Sequence, residues 1–208
     1  ATLRGNVDYS YSKSQYDYDI QRNFYDGDEN IIIDQGINSL SASHAPSFSI
    51  VYKNNAPTSY LNNSLFGKAT FLRNDLPTTE NGQALMQQKS MRDYYIGNNF
   101  SYSWRRKKLR WRLSSSVLLF NTPQVRLTVT NEGNDIHQSA NSLSFQTKNL
   151  LSAIYDFKNS RFYLPLSLNY SADKMQTDLR SYRENTNNKN DMTAGQLSVA
   201  FAPRYEYT

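Results

Sequence analysis

The chain has 208 residues, no cysteine, a formal net charge of +5 and 38% hydrophobic residues. The lack of cysteine excludes disulfides, thiolate nucleophiles and cysteine-ligated zinc together, and no run of about 18 apolar residues exists to form a transmembrane helix. The mild positive charge permits acidic partners without requiring them.

Tyrosine is the commonest aromatic, with 16 copies, and Asn, Ser and Thr are abundant, a composition of β structure. The opening ATLRGNVDYS has neither the charged start nor the apolar core of a signal peptide. It reads as the start of a mature or excised segment. Leu3, Val7, Tyr9 and Tyr11 alternate there with Arg4, Asn6, Asp8 and Ser10, the period of a strand with one apolar and one wet face. Asp8, Asp17 and Asp19 lie along this stretch, placed to line a lumen; nothing else in the sequence supports the paired carboxylates of a hydrolase. The segment DGDEN, Asp26 to Asn30, spaces oxygen ligands like the start of a calcium loop. It lacks the glycine and closing glutamate that an EF-hand requires there, so it reads as an acidic loop.

A hairpin follows, from Phe48, Ile50 and Tyr52 through KNNAPTS to Leu61, Leu65, Ala69 and Phe71, with Asn62, Ser64 and Lys68 on the other side. A second is built from Tyr94, Ile96, Phe100, Tyr102 and Trp104, then Leu109, Trp111, Leu113, Val117 and Leu119. Its tip, RRKK, interleaves cations with tryptophan as a nucleic-acid surface does, but four cations at a hairpin tip are readily solvated and discourage edge pairing. A solvated turn is therefore the expectation, with phosphate or lipopolysaccharide contact second and no nucleic-acid partner. A third hairpin runs from Phe145, Leu151, Ala153, Tyr155 and Phe157 through KNSR to Phe162, Leu164, Leu166, Leu168 and Tyr170. The last strand carries Leu197, Val199, Phe201, Tyr205 and Tyr207.

Roughly eight long strands result. Connections near residues 53–58, 105–108 and 158–161 are short, whereas those near 24–45, 73–93, 121–140 and 174–193 are long and polar. Strict alternation predicts an antiparallel up-and-down β-barrel or barrel segment, short turns at one end and long loops at the other. Within the last long loop, Tyr182 can stack on a sugar or peptide, Arg180 and Arg183 can fork onto carboxylates, and Asn185, Asn187 and Asn188 can exchange hydrogen bonds. These six are the candidate ligand-binding residues. His44 and His137, the only histidines, fall in predicted loops without HExxH spacing and read as surface residues. No nucleophile elbow, P-loop or dinucleotide fingerprint appears; no enzyme activity, metal site or cofactor is expected.

The order of a tyrosine-rich opening strand with YDGDEN in its loop, SYLNNSLFGKATF, NNFSYSWRRKKLRWRLSSSVLLFNTPQ and FYLPLSLNYS resembles the outer membrane beta-barrel protein family related to TonB-dependent receptors. In that family a regulatory domain and a plug precede a barrel of about twenty-two strands. The resemblance implies a single barrel segment over residues 1–208, excised from about a third of such a barrel. It also implies outer-membrane location, lipid, plug and an energy-transducing complex as partners, and ligand binding and transport without chemistry. This chain shows no plug, energy-coupling box or aromatic last residue. If it stands alone, its strand edges must be covered by closure, refolding or an oligomer. Two other expectations are a soluble or surface-attached β-sheet module binding glycans or peptides, and a complete eight-stranded structural barrel.

Overall fold

Alternation with a period of two becomes one antiparallel sheet in the computed structural model, which describes residues 1–26, 29–80, 83–131, 134–181 and 186–207. Its strands are β1 (Thr2–Asp26), β2 (Glu29–Ala56), β3 (Ser59–Glu80), β4 (Gln83–Arg106), β5 (Leu109–Asn131), β6 (Asn134–Asp156), β7 (Ser160–Ser181), β8 (Thr186–Phe201) and β9 (Arg204–Tyr207). Strands β1 to β8 lie side by side in chain order, and β9 also pairs with β7. The chain is thus all-β and up-and-down. Among the described residues β1 pairs only with β2 and β8 only with β7, so the sheet is an open barrel segment.

Nine strands stand where roughly eight were expected. The expected last strand is divided: β8 pairs up to Leu166↔Phe201, and β9 resumes at Tyr163↔Arg204. Pro203 sits in the gap, where its missing N–H cannot continue a ladder.

The long loops need correction. On their described residues the segments 24–45, 73–93, 121–140 and 174–193 are strand, paired out to Asp26↔Glu29, Glu80↔Gln83, Asn131↔Asn134 and Ser181↔Thr186. Apolar residues are sparse or clustered along most of these extensions, and the one short alternation, Val125, Leu127 and Val129, follows Pro123 amid Asn, Thr and Gln, so no sustained hydrophobic period announces them. Once the apolar half of a hairpin has set the register, backbone pairing continues at little further entropic cost. Of DGDEN, Gly27 and Asp28 lie outside the described residues, and Asp26 pairs with Glu29 in the ladder.

At the other end the turns are short, with β2 and β3, β4 and β5, and β6 and β7 separated by two or three residues. Lys107 at the second of these has φ of 53°, a left-handed conformation that costs an L-residue about 1 kcal/mol and suits glycine. Lys107→Gly is expected to stabilise the fold by about 1 kcal/mol, read as a raised denaturant midpoint.

Strand β5 departs from regular pairing with both of its neighbours at the same place. Arg92 pairs with Gln124 but Tyr94 with Asn121, and Thr122 pairs with Ser142 but Val125 with Ala140. Strand β5 therefore holds one extra residue around Pro123, a β-bulge. Across it the side-chain parity of β5 switches, so Leu119 below and Gln124 and Arg126 above share one face.

Candidate functional site

The register gathers the large apolar residues on one face. Leu61, Tyr102, Leu113, Leu151, Leu166 and Phe201 form a continuous row across six strands. The neighbouring rows add Ile50, Leu65, Ile96, Val117, Leu119, Val199 and their companions. None of the described residues covers this face: Leu113 is 38% exposed, Leu166 43% and Leu197 65%. Among the described residues Ala45 is the only buried hydrophobic one. A water-soluble sandwich would instead bury this face against a second sheet.

Aromatic residues bound the apolar band along individual strands. On β4 it runs from Tyr94 to Trp104, on β6 from Phe145 to Tyr155, and on β7 from Phe162 to Tyr170. At about 3.3 Å per residue and a tilt near 40°, the ten steps on β4 and β6 rise about 25 Å and the eight on β7 about 20 Å, near the height of the apolar girdle of a membrane barrel. The strands are 22 to 28 residues long from β1 to β7, so each continues well past the band. Polar side chains inside the band are paired with one another. The Asn98 amide donates to Asn63 Oδ1 at 2.9 Å, Ser115 Oγ donates to Asn149 Oδ1 at 2.7 Å, and the Asn149 amide donates to Thr147 Oγ1 at 2.9 Å. Such pairing is what a medium without competing water requires.

The opposite face is a wall of serine, asparagine and cations. Asn99, Ser101, Arg112, Ser116, Lys148 and Asn169 line a groove of 430 Å³ there, and Ser116 Oγ donates to Asn99 Oδ1 at 2.8 Å. An apolar island interrupts this wall: Phe66 lies against Gly97, Tyr95 meets the Phe66 edge with centroids 6.1 Å apart, and Leu118 and Phe120 pair with Gly97 and Tyr95. Sequence reading missed it, because Tyr95 and Gly97 passed as filler between larger neighbours. At the short-turn end, beyond the band, Asp156 accepts from Arg110 Nη2 and Arg161 Nε, both at 2.8 Å. These hydrogen bonds from Arg110 and then Arg161 hold the Asp156 carboxyl below the usual carboxylate range.

The expected binding residues come together only in part. Arg180 on β7 pairs in register with Asn187 on β8, while Asn188 pairs with Leu179 and points to the other face. Arg180 also grips Asp178, Nη2 to Oδ2 at 2.9 Å. Tyr182, Arg183 and Asn185 lie outside the described residues. Both histidines, expected in loops, sit on strands: His44 hydrogen-bonds the Tyr9 hydroxyl and rests against the Tyr11 ring at 4.8 Å, and His137 Nδ1 lies 3.1 Å from Thr128 Oγ1. Polar neighbours hid the strand there.

No family model matches the chain, and no curated protein matches it. Among solved structures it is similar to the ferric yersiniabactin uptake receptor FyuA from Yersinia pestis, at 5% identity and a TM-score of 0.43, covering 98% of this chain and 44% of that one. It is also similar to the outer membrane protease OmpT from Escherichia coli, at 11% identity and a TM-score of 0.32, covering 99% and 96%. A third is the β domain of the Bordetella autotransporter BrkA, at 8% identity and a TM-score of 0.21, covering 99% and 95%. This chain spans less than half the length of the uptake receptor. The expectation that the chain is not an enzyme is corrected by the second structure: a protease stands among its structural neighbours, so the lack of a catalytic motif does not exclude catalysis. At this identity the likeness assigns no reaction to this chain. What the chain has is one antiparallel up-and-down sheet with an apolar and a polar face, open on both edges among the described residues.

Proposed function

We propose that this chain is a wall segment of an outer-membrane β-barrel of the TonB-dependent receptor kind, with lipid against its apolar face and the ligand path along its serine- and asparagine-rich face. The observation that carries this reading is the band about 20–25 Å high, apolar on one face only, bounded by aromatics and continued by polar strand. The polar extensions are the capture end. There Arg180 and Asn187 share the face that continues the apolar band and Asn188 the face of the ligand path, and with Tyr182, Arg183 and Asn185 they offer forked cations, amides and an aromatic platform to a polar ligand at the barrel end. Along the path, the island of Phe66, Tyr95, Leu118 and Phe120 supplies an apolar contact in an otherwise hydrated wall. The plug and the energy-transducing complex come with the family resemblance, and their place is inside and beneath the barrel.

The two tryptophans of the chain provide a direct test, since Trp104 and Trp111 are cross-strand partners on the apolar face at one rim of the band. In vesicles of lipids brominated at successive acyl positions, their fluorescence is expected to be quenched most strongly by the shallowest bromines. Quenching that is absent, with acrylamide reaching both indoles freely, overturns the membrane-facing assignment.

A further inference from the structure

On the apolar face, Gly67 and Ala69 leave a shallow slot between larger neighbours. Its volume is 440 Å³, and Val7, Phe48, Ile96 and Leu119 line it. The ring of Phe48, the cross-strand partner of Gly67, fills the space over that glycine, where a Cβ would stand 2.5 Å from Phe48 Cε1, and the slot runs beside the ring. The slot ends at Tyr94. The same tyrosine borders a second groove, of 610 Å³, lined by Arg92, Gln124, Arg126, Gln176 and Lys189. The two grooves therefore adjoin at Tyr94, one apolar inside the band and the other cationic immediately beyond it.

The bulge at Pro123 creates this junction. Without the extra residue, Val125 would share the face of Leu119 and Arg92, and Arg126 would point to the other side; with it, Gln124 stands opposite Arg92 and Arg126 opposite Ser90. The carboxylates of the groove are already engaged. Asp178 is held by Arg180, and Asp191 accepts from Gln176 Nε2 at 3.0 Å with Lys174 Nζ at 4.0 Å. Arg92, Arg126 and Lys189 form no ion pair among the described residues. A cationic cluster one step outside a hydrocarbon band lies at the level of lipid phosphates, and guanidinium groups bind phosphate oxygens in pairs.

We propose that these adjoining grooves form a specific site for a membrane lipid with an anionic phosphate head group, one acyl chain lying in the slot beside Phe48 and Ala69 and the phosphate held by Arg92 and Arg126. The proposal rests on the membrane-facing reading of the apolar band. Bare apolar surface binds any lipid; this site selects by charge.

The protein in maltoside micelles, mixed separately with phosphatidic acid and with phosphatidylcholine of the same acyl chains, is examined by native mass spectrometry after gel filtration. Phosphatidic acid is expected to be retained at least tenfold more than phosphatidylcholine, and millimolar inorganic phosphate is expected not to displace it. Arg92→Gln with Arg126→Gln is expected to lower phosphatidic acid retention at least fivefold and leave phosphatidylcholine unchanged. Ala69→Phe, which fills the slot, should lower both. Arg105→Gln with Arg106→Gln, at the opposite rim, should change neither. Equal retention of the two lipids, an equal loss in the opposite-rim variant, or full displacement by inorganic phosphate overturns the site. Any of these with tryptophan quenching intact leaves the membrane-facing reading standing, whereas loss of quenching removes both.

Discussion

Leu166→Arg is expected to destabilise the protein in lipid vesicles by about 2–4 kcal/mol, read as a fall in the urea midpoint of tryptophan fluorescence. Leu166 sits midway between Phe162 and Tyr170 on β7, in the row with Leu151 and Phe201, and is 43% exposed. An arginine there must enter hydrocarbon or drag water and head groups toward it. Its neighbour Ser167 faces the polar wall, where an arginine is solvated, so Ser167→Arg is expected to cost no more than about 0.5 kcal/mol. A contrast between faces does not by itself identify lipid, because a covering protein sheet would penalise the same leucine. The profile along the strand does. In a bilayer the penalty falls to about 0–1 kcal/mol at the interfaces, so Phe162→Arg and Tyr170→Arg should be mild. Beneath protein it follows local burial instead. A flat profile over these three positions overturns the lipid-facing assignment.

The same alternation explains how much of this architecture was readable from the residues. Where one face is apolar, as from Tyr94 to Trp104 or Phe162 to Tyr170, strand, register and face all follow from a period of two. Where apolar residues are sparse or clustered, the period vanishes although the backbone ladder does not, and so residues 73–93 and 174–193 read as loops. The division at Pro203 was marked by a residue that cannot donate to a ladder, yet nothing said that pairing would resume at Arg204. Arg180, Asn187 and Asn188 stood out by composition, but which of them share a face depends on the register Arg180↔Asn187. Composition cannot carry that. The cationic groove was hidden more deeply still, since Arg92 and Arg126 are 34 positions apart and join one face only through the bulge at Pro123.

Gly97→Val is the second substitution with a large expected effect, and its magnitude turns on whether one ring can move. A Cβ on Gly97 would stand 2.4 Å from Phe66 Cζ and 2.7 Å from Phe66 Cε2, so the ring must leave. Ring tips often yield at little cost, but Phe66 is confined by the edge of Tyr95 on one side and by its own cross-strand pairing with Gly97 beneath. Covering a strand glycine with the aromatic of the partner strand pins register as well as filling space. Overpacking of this kind costs about 1–3 kcal/mol, which outweighs the better strand propensity of valine, at most about 1 kcal/mol. In a Phe66→Ala background the obstacle is gone, and Gly97→Val is expected to be neutral or stabilising by up to about 1 kcal/mol. The two changes are therefore coupled, and a double-mutant cycle of denaturant midpoints measures the coupling. If Gly97→Val costs the same with and without the phenylalanine, the ring does not hold that register, and the apolar island on the polar face is only a chance meeting of four side chains.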